Sequence, residues 1–218
     1  MKKLAAAAIL AVLGSGLAQA ADHGVYAGIS TLGVGVGYKY SFNDKLGMRL
    51  GYNGGSLNAT VTEDGVDYDG KAKMNSVELL ADYHPFGNGF ALSAGILYNR
   101  SKFTGDSAAG TNSITINGKT YTGTNPSAHY DARLDDDKWS PYLGIGWTSN
   151  PAGVAGWAFN ARLGVLFQNP KGTVTTSGIN DTTGTLEKSR AQAEQTLNDD
   201  LDKVKIYPVL GIGVSYAF

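Results

Sequence analysis

The chain has no cysteine among its 218 residues, so neither disulfides nor thiolate chemistry can hold it together. Past residue 20 it lacks an apolar run approaching the ~20 residues a helix needs to cross a bilayer. It lacks a charge bias: 18 basic residues face 19 acidic ones, net −1, which leaves no basic stripe for nucleic acid. Imidazole is scarce. The histidines are His23, His84 and His129, no serine lies beside them in a hydrolase-like pattern, and neither Gly-x-Ser-x-Gly nor His-x-Ser occurs. With no nucleophile, base and orienting group in reach of one another, no enzymatic activity and no cofactor are expected. The acidic stretch of residues 63–69 has carboxylates near Gly65 but lacks the closing bidentate Glu of a calcium loop, so it reads as a solvated loop and no metal site is expected.

What the chain does have is glycine (30), tyrosine (12) and an apolar residue at every second position through several segments. In the last thirteen residues, Phe218, Tyr216, Val214, Ile212, Leu210, Pro208 and Ile206 form one face. The alternate positions are mostly small or weakly polar. A period of two over that length is a strand with one apolar and one mild face. Segments 25–30, 32–42, 47–53, 73–84, 90–99, 140–148 and 157–167 repeat the pattern, with Leu80 as an apolar exception on the polar face. Leu32, Val34, Val36, Tyr38, Tyr40 and Phe42 are read as one outward row, and Leu143, Ile145 and Trp147 as another.

Residues 1–20 are a different kind of segment. Lys2 and Lys3 precede an apolar stretch from Leu4 to Leu13, and Ala18-Gln19-Ala20 is a small-x-small cleavage pattern. They read as a signal peptide, leaving residues 21–218 as one domain. Without Lys2 and Lys3 the balance becomes 16 basic to 19 acidic, net −3.

An exported chain with eight alternating strands and no apolar helix can span a membrane only as a closed barrel, which pairs every backbone polar group internally. The predicted fold is therefore an all-β, eight-stranded antiparallel transmembrane barrel. An even strand count leaves both termini on the periplasmic side. Connections at 43–45, 85–89 and 149–155 are short, whereas those at 101–138 and 168–203 are long and that at 60–71 is intermediate. Short periplasmic turns and long extracellular loops are the outer-membrane pattern. Asn117-Gly118 inside one long loop predicts a type I′ hairpin, and Asp64-Gly65 a similar tip. Residues 185–204 predict a helix with Leu186, Ala193, Leu197, Leu201 and Val204 along one side, leaning on the barrel rim. The acidic run Asp135 to Asp137, beside Lys138 and Trp139, is expected at the headgroup boundary.

Alternation forces five charges inward: Lys39, Arg49, Glu78, Asp82 and Arg162. The layers predict Asp82 with Lys39 and Arg49 near the periplasmic end, and Glu78 with Arg162 near mid-barrel. In so narrow a lumen side chains just fill the space, so pairing is expected whether these charges plug the barrel or bias the passage of solute.

Several stretches carry a family likeness: Leu50-Gly-Tyr-Asn-Gly-Gly55, Asn117-Gly118 in its hairpin, Tyr142-Leu-Gly-Ile-Gly-Trp147, the helix running into Tyr207-Pro208, and Gly213-Val-Ser-Tyr216. Together they resemble small eight-stranded outer-membrane barrels, in particular the carbapenem-resistance-associated outer-membrane family. The resemblance implies an outer-membrane location in a Gram-negative bacterium and a narrow channel for passive uptake of small polar solutes. A non-conducting structural or adhesin-like barrel acting through its loops is the alternative. It also implies contact with outer-membrane lipid and lipopolysaccharide, and with periplasmic chaperones and the barrel-assembly machinery during biogenesis. That machinery is expected to read Ile212, Val214, Tyr216 and Phe218 in the final strand.

Overall fold

The computed structural model describes residues 22–63, 66–107, 113–133, 138–150 and 154–218. The expected signal peptide, Asp64-Gly65 and Asp135 to Asp137 lie outside them. The elements in chain order are β1 (His23–Ser30), β2 (Gly33–Ser41), β3 (Leu46–Glu63), β4 (Val66–Tyr83), β5 (Phe90–Asn99), β6 (Lys102–Ser107), β7 (Ser113–Ile116), β8 (Lys119–Arg133), β9 (Trp139–Thr148), β10 (Gly156–Phe167), β11 (Lys171–Ile179), α1 (Leu186–Asp202) and β12 (Ile206–Ala217).

Eight of these strands close on themselves, all antiparallel. The ring runs β1–β2–β3–β4–β5–β9–β10–β12 and returns to β1 through Gly24↔Ala217 to Ser30↔Gly211. The Phe218 N–H donates to the His23 carbonyl at 2.8 Å, tying the last residue to the first strand. The outward rows face where lipid would be. Leu143, Phe159 and Ile212 are 54, 70 and 64% exposed, values that place these large apolar side chains outside the barrel. With no helix among the described residues long and apolar enough to cross a membrane, the strands are the spanning elements.

One residue departs from the expected outward row. Leu32 sits inside the barrel, in contact with other buried apolar side chains. It lies in the tight turn between β1 and β2, where Gly33 adopts φ +102°, and the turn breaks the alternation before β2 begins.

The connections on the far side are also more ordered than expected. Residues 60–63 and 66–71 are strand, because β3 and β4 pair without a break from Leu46↔Tyr83 out to Glu63↔Val66. Above the barrel, β4 exchanges its partner: residues 76–83 pair with β5 in the wall, and residues 68–73 pair with β6. Strand β6 then pairs with β8, and β8 with both β7 and β11, so the two long segments build an outer sheet. The β7–β8 turn has Asn117 at φ 49° and Gly118 at φ 73°, the two left-handed residues of a type I′ hairpin.

The helix α1 packs on this sheet, chiefly on β11, and not on the barrel rim. Leu186 and Ala193 meet Ile114, Ile116, Tyr121 and Ala128, which form a second core separate from the lumen. Leu197 and Leu201 press on β11 where Gly172 leaves room; a Cβ there would stand 2.5 Å from Leu197. Asp181 starts the helix by accepting hydrogen bonds from the N–H groups of Leu186 (3.0 Å), Thr183 (3.1 Å) and Thr185 (3.3 Å). Polar side chains of α1 also satisfy the outer edge of β11. Asn198 bonds both the N–H and the carbonyl of Gly172 (3.0 Å each), while Glu194 accepts from the Val174 N–H and Arg190 donates to its carbonyl.

Candidate functional site

The lumen is built in three layers, and the strand alternation decides what each contains. Nearest the periplasmic turns, Arg49 on β3 donates to Asp82 on β4 through Nε (2.6 Å) and Nη2 (2.9 Å). This forked geometry is the strong form of a guanidinium–carboxylate contact. Ser93 on β5 completes the group, donating to Asp82 Oδ1 at 2.5 Å and accepting from Arg49 Nη2 at 3.2 Å. Lys39 faces Arg49 across the β2–β3 register. Among the described residues it has no carboxylate within ion-pair distance, because both oxygens of Asp82 are taken by Arg49 and Ser93. The expected Asp82–Lys39 pair is thus not formed.

At mid-barrel Glu78 is a hub. Its oxygens accept from Tyr26 (2.8 Å), Asn53 (2.9 Å) and Arg162 Nη1 (2.9 and 3.0 Å). Arg162 Nη2 reaches Asn53 Oδ1 at 3.2 Å and Ser30 Oγ at 3.4 Å. The cluster joins β1, β3, β4 and β10 straight across the lumen. Inward glycines make room for it. A Cβ at Gly51 would lie 2.0 Å from the Tyr26 hydroxyl, one at Gly35 2.5 Å from Asn53 Oδ1, and one at Gly211 2.9 Å from Arg162 Nε. Buried charges are tolerated only when paired and hydrogen-bonded, and here Glu78 and Arg162 are satisfied by each other and by three neutral neighbours, Tyr26, Asn53 and Ser30.

The third layer is apolar and lies toward the outer end, except that Leu80 enters it from β4 between Glu78 and Asp82. Leu32, Leu80, Leu97, Tyr142, Leu166 and Val209 pack together at 0–6% exposure, with Tyr207 against them. Tyr142 lies flat over Gly144 and Gly164, either of whose Cβ would stand 2.4 Å from its hydroxyl. Leu32 apart, these side chains come from the face expected to be polar, so the lumen is polar in its lower part and mainly apolar above. Leu80 is the visible clue in the sequence. Leu97, Leu166 and Val209 share its parity, and reading all four together finds the layer. Tyr26 and Asn53 carry no charge and escape a search for ionisable groups, although the same parity points both inward.

The remaining histidines are engaged elsewhere: His23 with the Tyr38 hydroxyl, His84 with the carbonyls of Asn88 and Phe90 in a periplasmic turn, and His129 with Asp106 on the outer sheet. On β12, Ile212 and Val214 point outward, with Tyr216 and Phe218 continuing the row to the seam.

Comparison with known proteins places this architecture. Among solved structures the chain is similar to CarO of Acinetobacter baumannii, at 25% identity and a TM-score of 0.61 over 89% of this chain and 97% of that one. It is also similar to CarO2 of the same organism, at 27% identity and a TM-score of 0.63 over 90% of this chain and 98% of that one. No protein-family model and no curated protein matches it. The chain is a small eight-stranded barrel of the Gram-negative outer membrane that resembles the CarO proteins.

Proposed function

We propose that this barrel acts through the folded sheet it carries outside the membrane, with its lumen closed to solute. The observation that supports this reading is the apolar layer of Leu32, Leu80, Leu97, Tyr142, Leu166 and Val209 above the Glu78–Arg162 pair. A polar solute would have to part six packed side chains and a buried ion pair to cross. The outer sheet, by contrast, has its own core and helix, which is more organisation than a channel mouth requires.

Narrow passage of small polar solutes is the second reading, and one observation favours it. The hydroxyls of Ser76, Ser140 and Tyr142 are buried in the upper lumen with no hydrogen-bond partner among the described residues, leaving a thread of polar atoms through the apolar layer. Swelling of proteoliposomes in arginine, glycine and arabinose separates the two. Rates equal to protein-free vesicles are expected for all three solutes. Solute-dependent swelling that increases when Leu97 is cut to Ala would overturn the closed-lumen reading.

As partners we infer lipid and lipopolysaccharide around the outward rows. The assembly machinery and periplasmic chaperones would act during biogenesis, with Ile212, Val214, Tyr216 and Phe218 as the segment they read.

A further inference from the structure

We propose that the lower lumen is a binding site for a small oxyanion, a carboxylate or phosphate, reached from the periplasmic turns. Below the Glu78–Arg162 hub the barrel holds a cavity of about 90 Å³, with Lys39, Arg49, Ser93, Asn160 and Arg162 among its walls. A smaller cavity of about 50 Å³ shares Lys39, His84 and Thr148 with it and continues to Asp22, His23 and Asn150 at the periplasmic end. The two together make a path open from below and stopped above by the apolar layer.

Lys39, Arg49, Arg162 and Asp82 line the larger cavity, and Asp22 lies at the periplasmic mouth. Asp82 is already committed to Arg49, and Glu78 to Arg162. Lys39 is the cation left without an ion-pair partner among the described residues. A cation drawn partly out of water, with no carboxylate in ion-pair contact, is held at a cost that an anion entering the cavity lowers. Other groups could complete the contact. The Asn160 amide, now donating to Ser215 Oγ at 3.0 Å, and the Thr148 hydroxyl both border the cavity. The space suits a ligand of a few heavy atoms and excludes a peptide or sugar polymer.

Glycine again creates the room. A Cβ at Gly146 would find only ordinary contacts, with the Ala161 carbonyl at 3.7 Å and Ala91 and Ser93 at 4.0 Å. Position 146 thus accepts a Cβ, and a larger side chain there would extend into the cavity that Gly146 lines.

The site uses the closed-lumen reading only for its one-sided access, and the two fail separately. Isothermal titration of the full chain in detergent micelles, at constant ionic strength, uses acetate and inorganic phosphate as probes. A saturable heat is expected with at least one of them. Lys39→Met should weaken it about tenfold or more, Lys39→Arg should recover most of it, and Gly146→Leu should abolish it. Heat-modifiable mobility on unboiled gels confirms that each variant is folded. No saturable heat from either probe overturns the proposal, as does an unchanged Kd in Lys39→Met. Should Lys39→Met not fold, Gly146→Leu decides alone: retained binding overturns the site. Binding together with proteoliposome swelling keeps the site and overturns only the closed lumen.

Discussion

The barrel wall and the outer sheet share a strand, yet they sort their side chains in opposite ways. In the wall, β4 turns Val77 and Leu79 outward and Glu78 and Asp82 inward. A few residues further, in the outer sheet, Ile114, Ile116, Tyr121 and Val174 are buried, covered in part by α1, while threonine and charge face out. Backbone geometry is the same in both. The difference is the surroundings: the wall is bathed in hydrocarbon and hides its polar groups, whereas the sheet is bathed in water and hides its apolar ones. The two regions should therefore respond to different insults.

The sharpest way to break the wall is to orphan a lumen charge. Arg162→Ala leaves Glu78 buried without its cation and should cost about 3–5 kcal/mol. Urea unfolding in lipid vesicles, followed by tryptophan fluorescence, measures it. A cost below about 1 kcal/mol would mean that the mid-barrel hub does not hold the wall together.

The outer sheet should fail by cavity formation instead. Ile116→Ala should cost the sheet about 2–5 kcal/mol and leave the wall intact. Hydrogen exchange reads the separation: β7, β8 and α1 should lose protection while β9 and β10 keep theirs. Equal loss in both regions would show that they unfold as one unit.

The smallest effect concerns the start of α1. The N–H of Leu186 above all, with help from Thr183 and Thr185, holds the Asp181 carboxyl below the usual carboxylate range. A depressed folded value means the stabilisation is fully present above the unfolded pKa of about 3.9 and fades as pH falls through the folded one. The Leu186 and Ser189 amide resonances should shift between pH 5 and 2, and Asp181→Ala should remove that titration. An unchanged titration would assign it to another carboxylate.

How much of this was legible in the sequence follows from the same contrast. The wall strands were readable because lipid imposes a strict alternation, and Leu143 or Phe159 has no other place to go. The outer sheet was hidden for the opposite reason. Stretches such as Lys171-Gly-Thr-Val-Thr-Thr176 have a buried face only once α1 covers it, so Val174 alone marks the strand. The helix was legible, but its seat was not: Leu197 and Leu201 find their place through Gly172, a contact made by an absent side chain. In the lumen, alternation put five charges inside, and the Arg49–Asp82 and Arg162–Glu78 contacts follow from opposite charges at similar depth. Which cation Asp82 takes was not legible, because Arg49 offers a two-toothed contact that Lys39 cannot match. Leu32 was misread because a tight turn resets the parity at its corner.

The way α1 meets β11 has a consequence for life in a crowded membrane. An open sheet margin offers unsatisfied amides and carbonyls to any extended segment that drifts past, whether from a neighbouring barrel or an unfolded chain. At Gly172 and Val174 those groups are already occupied by Asn198, Glu194 and Arg190. The helix thereby finishes that border as a hem finishes cloth, and copies packed side by side meet there as closed surfaces that cannot zip into one another.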